Sequence, residues 1–199
     1  MMEVVIAAHP KRARMALDTA ERSDASMIIW DHSNDEWNTH SRALDIIDSE
    51  HGVILQDDAL PVPGFYDAAE QAIEQYPDAI ISFYVGTGRP MQRSVRKAIS
   101  QADRQGASWL RHDDLLWGVG IALPSKYIPS ILKFDYQLPY DQRLGAWARE
   151  NDVPVMYTWP SLVDHRDTEG LVKHHSAKVK RVAHRTGVPE RWDTPVINI

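Results

Sequence analysis

Four side chains able to bind or to move protons stand at the ends of three β-favouring runs. They are His9 in "AAHP", Asp31 in "IIWDHS", and Asp57 with Asp58 in "VILQDDALPVPGF". Carboxylates placed this way can hold a water ligand or accept hydrogen bonds from a sugar hydroxyl. They can also hold a hard divalent cation, which takes one or two protein carboxylates and completes its shell with substrate phosphates. A single acidic strand end is weak ground, because Asp also opens turns and caps helices. Three in register on consecutive crossovers point to a site. Neighbours such as Asp57 and Asp58 face opposite sides of a continuing strand, but at a strand's end both can reach one point. The competing reading of the pair is turn chemistry, with Asp57 capping the turn into "ALPVPG" and Asp58 solvated.

The elements that must position these residues follow from the pattern. "EVVIAAHP", "ASMIIWDHS", "VILQDD" and "AIISFYVG" read as strands, separated by helical "KRARMALDTAER", "NTHSRALDIIDSEHG" and "GFYDAAEQAIEQYPDA". Gly52 stands as the stop of the second helix. Strands alternating with helices indicate an α/β domain with a mostly parallel central sheet, whose ligands bind outside the strands' carboxyl ends. "PMQRSVRKAISQADRQG" is helical, "SWLRHDDLLWGVGIALP" holds one or two strands, "LPYDQRLGAWAREND" is a helix and "VPVMYTWPSLVDH" a strand running into a loop. The expected organisation is one domain over residues 1–170, with a basic tail over 171–199 packing on it.

Composition narrows the classes. A chain of 199 residues with 43% hydrophobic and 25% charged residues suits one globular domain. No apolar run reaches the ~18 residues of a membrane span. The absence of cysteine excludes disulfides, zinc–thiolate sites and thiol catalysis, and fits a reducing cytoplasm. A net charge of −6 argues against a surface coated for non-specific DNA binding. Lys173, Lys178, Lys180, Arg181, Arg185 and Arg191 are nonetheless gathered in the tail, as a solvated face or a local anion site.

"VILQDDALPVPGF", with "ISFYVGTGRP", "WGVGIALP", "YDQRLGAWARE" and "YTWPSLVDHRD" in that order, resembles a small glycosyltransferase of the GT-A fold. It is similar to the family 25 type and to short phage and actinobacterial relatives. The resemblance implies a Rossmann-related domain using Mn²⁺ or Mg²⁺ and a nucleotide-sugar donor, UDP-sugar first. Asp57 and Asp58 match the metal-binding acidic motif, with Asp58 the direct ligand and His165 completing the site. Gln56 departs from the family's "EDD" and leaves one carboxylate fewer. His9, Asp31, Asn38 and Arg42 match donor-contacting positions; Arg42 could equally pair with Asp45 or Glu50 at helical spacing. Asp141 corresponds to the catalytic base, with Asp113 and Asp114 as alternatives, and its other role is helix N-terminal stabilisation. Trp117 and Gly118 resemble an acceptor-side element, against core filling by Trp117. Lys173, with His174 and His175, is positioned in sequence to fold over the diphosphate, and Lys178 to Arg191 to meet a polyanionic acceptor.

The implied function is transfer of a sugar from a nucleotide-sugar to a hydroxyl acceptor, either a base in phage DNA or a glycan. The chain is short for this fold, so the acceptor subsite is pared down, completed by a homodimer partner, or open to a large acceptor. The rivals are a nucleotide-sugar-binding module without turnover, which Gln56 supports, and a nucleotidyltransferase. Against the latter, "AAHPKRARM" has the basic residues of such a loop but no glycine.

Overall fold

The computed structural model describes residues 1–88, 90–166 and 180–199. In chain order the elements are β1 (Met2–Ala8), α1 (Ala13–Ser23), β2 (Met27–Trp30), α2 (Glu36–Asp45), β3 (His51–Gln56), β4 (Ala59–Pro61) and α3 (Phe65–Gln75). Then follow β5 (Ile80–Ser82), α4 (Gln92–Gln105), β6 (Trp109–His112), β7 (Gly120–Pro124), α5 (Ile128–Lys133), α6 (Tyr140–Glu150), β8 (Val155–Thr158), β9 (Val163–His165) and β10 (Val196–Asn198). A 3-10 turn over Pro10–Arg12 links β1 to α1.

Among the described residues eight strands form one sheet in the order β10-β6-β8-β5-β7-β3-β1-β2, and β4 pairs with β9 in a second, two-stranded sheet. β1 runs parallel to both β2 and β3, and β5 parallel to β8. β7 is antiparallel to β3 and β5, while β6 opposes β8. The sheet is therefore mixed but largely parallel, and the chain is a single α/β domain, as the sequence leads one to expect.

Central strands lie between helices and are apolar throughout: Val4 to Ala8 and Val53 to Leu55 are all buried. The helices cover them with small or apolar residues at helical spacing. On α3 these are Phe65, Ala68, Ala69, Ala72 and Ile73, and on α4 Val95, Ala98 and Ala102. α4 ends where Gly106 takes the left-handed conformation, φ 63°, which costs a glycine little.

Three features depart from the sequence reading. Gly52 does not stop a helix: α2 ends at Asp45, and Gly52 lies inside β3, where a Cβ would come 2.2 Å from Ile47 Cδ1. "SKYIPSILK" forms α5 after a 3-10 turn, an element not anticipated. The tail's last residues form β10, which extends the sheet beside β6. Trp192 anchors this segment: its ring centroid lies 5.2 Å from that of Trp109, and its carbonyl accepts the Trp109 indole N–H at 2.9 Å.

Candidate active site

β1, β2 and β3 are adjacent, so residues 9, 31 and 57 meet at one edge of the sheet. The turn that follows β3 is Asp57–Asp58 itself, leading straight into β4. The Asp57 backbone N–H still donates to Ala7 O at 3.1 Å, holding it to β1. The buried Thr19 hydroxyl on α1 bonds Ala59 O at 2.7 Å and lies 3.2 Å from Asp57 O, fastening the turn from below. The pair is thus both turn and site. The turn lets two successive carboxylates reach the same guanidinium.

That point holds a guanidinium. Arg12 Nη1 lies 3.0 Å from Asp57 Oδ1 and also bonds Asp58 Oδ2 at close range. Asp57 Oδ2 accepts the His9 backbone N–H at 2.8 Å. The β4–β9 ladder sets Ala59 opposite His165, and thereby brings His165 Nε2 to 3.3 Å from Asp58 Oδ2. All three side chains are nearly withdrawn from water, with Asp57 5%, Asp58 3% and His165 6% exposed. Burial alone would raise both carboxyls. For Asp58 it is overcome by the His165 hydrogen bond and by the charges of His165, Arg12 and Arg181, which hold it below the usual range. For Asp57 burial wins, and its carboxyl is raised despite His9 N–H and Arg12. Burial likewise opposes the Arg12 charge, but the two aspartates more than offset it.

These residues line a cleft of about 320 Å³. Its wall includes His9, Lys11, Arg12 and Arg181 around the acid pair, and Asp31, Asn34, Glu36, Thr39 and His40 on the β2–α2 side. Asp31 Oδ1 accepts the Ser33 N–H at 2.9 Å; this and the Asp35 N–H offset the effect of burial and lower its pKa. His9 Nε2 lies 3.1 Å from Asn34 Oδ1. Glu36 opens α2. Its residue surface is exposed, yet its carboxyl is pushed up to about 7, with loss of solvation first and the charges of Asp141 and Asp35 next. Behind it His40 donates Nδ1–H to Glu36 O at 2.8 Å and stacks on Tyr140, centroids 3.6 Å apart.

The sequence candidates divide accordingly. His9, Asp31, Asp57, Asp58 and His165 converge on the cleft. Asp141 lies in the first turn of α6, near enough for its charge to act on Glu36. Asn38 and Arg42 are not part of the wall: Asn38 N–H bonds the Asp35 cap, and Arg42 Nη1 donates to Trp30 O at 3.1 Å, tying α2 to β2. That bond stands in place of the ion pair with Asp45 or Glu50 weighed for Arg42. Asp114 pairs with Arg149 at 2.5 Å, away from the cleft wall. Trp117 is 7% exposed and packs edge-on against Tyr84 and Tyr157, in the core. Gly118 is where α6 closes in, since a Cβ there would meet Tyr140 Cε1 at 2.9 Å. Lys173, with His174 and His175, lies outside the described residues. Arg185 pairs with Asp103 and Arg191 with Asp193, so these two tail cations are matched within the fold.

Arg12 and Glu36 were not among the sequence candidates, and Arg181 was named only as one of the tail cations, as part of a solvated face or a local anion site. Arg12 belongs to the basic stretch after β1, which was set aside for want of a glycine. Arg181 belongs to the tail, which returns across the cleft because Thr87 N–H bonds Val182 O at 2.8 Å and Asp164 Oδ1 accepts the Ala183 N–H at 2.7 Å.

The GT-A resemblance implies a divalent cation on Asp58 and His165. The buried Asp58 Oδ1, with no hydrogen-bond partner, would suit one. The rest of the donor set does not. Asp58 Oδ2, the oxygen facing His165, already carries Arg12, Asp57 is taken by Arg12 and His9 N–H, and Gln56 supplies no charge. Among the described residues no three His, Asp or Glu side chains are arranged to hold a metal. A cation shared between Asp58 Oδ2 and His165 would have to displace Arg12 from that oxygen.

No family model matches the chain, and neither does any curated protein. Among solved structures, A197 from STIV superposes with a TM-score of 0.57 at 12% identity, covering 94% of this chain and 96% of that one. A CMP:2-keto-3-deoxy-manno-octonic acid synthetase complexed with CTP gives 0.49 at 9% identity, over 80% and 92%. A mutant Drosophila β1,4-galactosyltransferase 7 with manganese, UDP-Gal and xylobiose gives 0.47 at 9%, over 100% and 93%. The last two likenesses are too loose to carry an argument; the first shows a shared fold across nearly the whole of both chains.

Proposed function

We propose that the chain is a glycosyltransferase moving a sugar from a nucleotide-sugar, UDP-sugar first, to a hydroxyl acceptor. The observation that carries this reading is the convergence, at the carboxyl edge of β1, β2 and β3, of a carboxylate suited to ribose with a cationic wall suited to a diphosphate. Asp31 accepts from the ribose hydroxyls. Lys11, Arg12 and Arg181 face the phosphates. The acceptor oxygen attacks the anomeric carbon and gives its proton to the Glu36–Asp141 carboxylate pair. The bond to the β-phosphate oxygen breaks, that oxygen keeps the electron pair, and a nucleoside diphosphate leaves. Charge grows on the leaving group in the transition state, so cations aimed there raise the rate and do not merely bind.

A nucleotidyltransferase is the second reading, favoured by Lys11 and Arg12 lining the cleft on the loop after β1. Products separate the two. With a panel of nucleotide-sugars, release of nucleoside diphosphate together with free or transferred sugar, lost in Asp31→Ala, supports the first. Formation of pyrophosphate from a nucleoside triphosphate and a sugar acid or sugar phosphate, with no diphosphate release, sinks it.

A further inference from the structure

We infer that Arg12 is the resident cation of the donor site, filling against the diphosphate the place that a divalent ion takes in metal-dependent enzymes. The inference rests on the nucleotide-sugar reading above. It starts from a geometric conflict: one guanidinium nitrogen serves Asp57 Oδ1 and Asp58 Oδ2 together, and that second oxygen is the one facing His165. A metal ion held between Asp58 Oδ2 and His165 competes with this guanidinium for the same oxygen.

Several features hold Arg12 in that position. It lies on the 3-10 turn between β1 and α1, whose start is capped by His9 Nδ1 accepting the Lys11 N–H at 3.1 Å. The His9 backbone N–H in turn holds Asp57 from the far side, so the turn and the acid pair are locked to each other. The Arg12 side chain is only 11% exposed, and removing one partner of such a buried pair strands the other's charge. A guanidinium also carries five N–H donors in a fixed plane, the geometry that reads phosphate oxygens, and it never deprotonates at working pH.

The charge balance at this end of the cleft agrees. Asp57 and Asp58 face Arg12, Lys11 and Arg181, all on the same wall, and Arg181 is near enough to help hold Asp58 ionised. Positive charge comes from the chain, and the aspartates orient it.

Binding tests this without needing the acceptor. Calorimetry of the full chain with UDP, CDP, GDP and ADP is run in EDTA and again with Mn²⁺. One nucleotide should bind in EDTA, with a dissociation constant that Mn²⁺ changes by less than about threefold. Arg12→Met should weaken it by about tenfold or more, and Arg12→Lys should recover part of the loss. Arg181→Met, which leaves the acid pair's guanidinium in place, should also weaken binding and covers the case in which Arg12→Met does not fold. Binding that appears only with Mn²⁺, or tight Mn²⁺ binding to the parent without nucleotide, overturns the role of Arg12 while leaving the glycosyltransferase reading standing. If none of the nucleotides binds in either condition, the donor-site reading itself fails.

Discussion

His165 meets Asp58 at 3.3 Å, Nε2 against Oδ2, although 107 positions separate them in the sequence. The β4–β9 ladder makes this meeting possible, and it gives Asp58 a second basic neighbour that Asp57 lacks. The two aspartates should therefore respond differently to neutralisation. Asp58 has its carboxyl held low by His165, Arg12 and Arg181, so it contributes stability at neutral pH that is lost as pH falls below the ordinary carboxylate range. Asp57, raised by burial, contributes in the opposite sense. Asp58→Asn should cost about 3–5 kcal/mol in urea unfolding at pH 7, and Asp57→Asn about 1–2 kcal/mol. Equal losses would show that the pair shares its charge evenly.

How far this site was legible in the sequence depends on distance along the chain. Asp31, Asp57 and His9 could be placed because they end strands whose apolar runs are unmistakable, and adjacent parallel strands bring their ends together. The motif order also indicated His165. Arg12 was visible only as one basic residue among several after β1, and nothing local says that its guanidinium turns onto a turn 45 positions later. Arg181 is harder still, since Thr87 and Asp164 draw the tail back by bonding to its backbone groups, which leave no mark on the tail's own side chains. Trp117 shows the converse: an aromatic beside a glycine reads equally as a sugar platform or as core, and only the packing against Tyr84 and Tyr157 places it in the core.

His40 should make the protein acid-sensitive. Burial lowers its pKa from 6.5 to about 4, against weaker opposing effects from the Glu36 carbonyl and the Asp31 charge. Between those two values the unfolded chain binds a proton that the folded chain refuses. Stability therefore falls as pH drops from about 6.5 to about 4, by about 3 kcal/mol in all. His40→Phe keeps a ring to stack on Tyr140 and removes the titration. Unfolding free energies measured across this window should show a shallower slope for the variant by about one proton. Parallel slopes would rule His40 out as the source.

Glu36 should appear in the pH dependence of turnover. With its carboxyl at about 7, raised first by loss of solvation and then by Asp141 and Asp35, a base here gains activity as pH rises through that value. Removing the neighbouring charge lowers it, so Asp141→Asn should move the acid limb of nucleoside diphosphate release to lower pH. Glu36→Gln should abolish that limb and slow release by about a hundredfold or more. If Asp141 were itself the base, Asp141→Asn would abolish the limb and not displace it.

Gly145 supports the site indirectly, and its substitution should be far costlier than that of Gly52. A Cβ at Gly145 on α6 would come 2.0 Å from Asp114 Oδ1 and 2.9 Å from the backbone nitrogen of Leu115. The Asp114 carboxylate is held by Arg149, and the Asp114 carbonyl accepts the Tyr157 hydroxyl at 2.7 Å, so the segment cannot yield without breaking these contacts. At Gly52 the close atoms all belong to the Ile47 side chain, which can rotate away. Gly145→Ala should therefore destabilise by about 2–3 kcal/mol, against about 1 kcal/mol for Gly52→Ala. Because α6 also carries Asp141, Gly145→Ala should shift the acid limb assigned to Glu36 as well, and Gly52→Ala should leave that limb where it is.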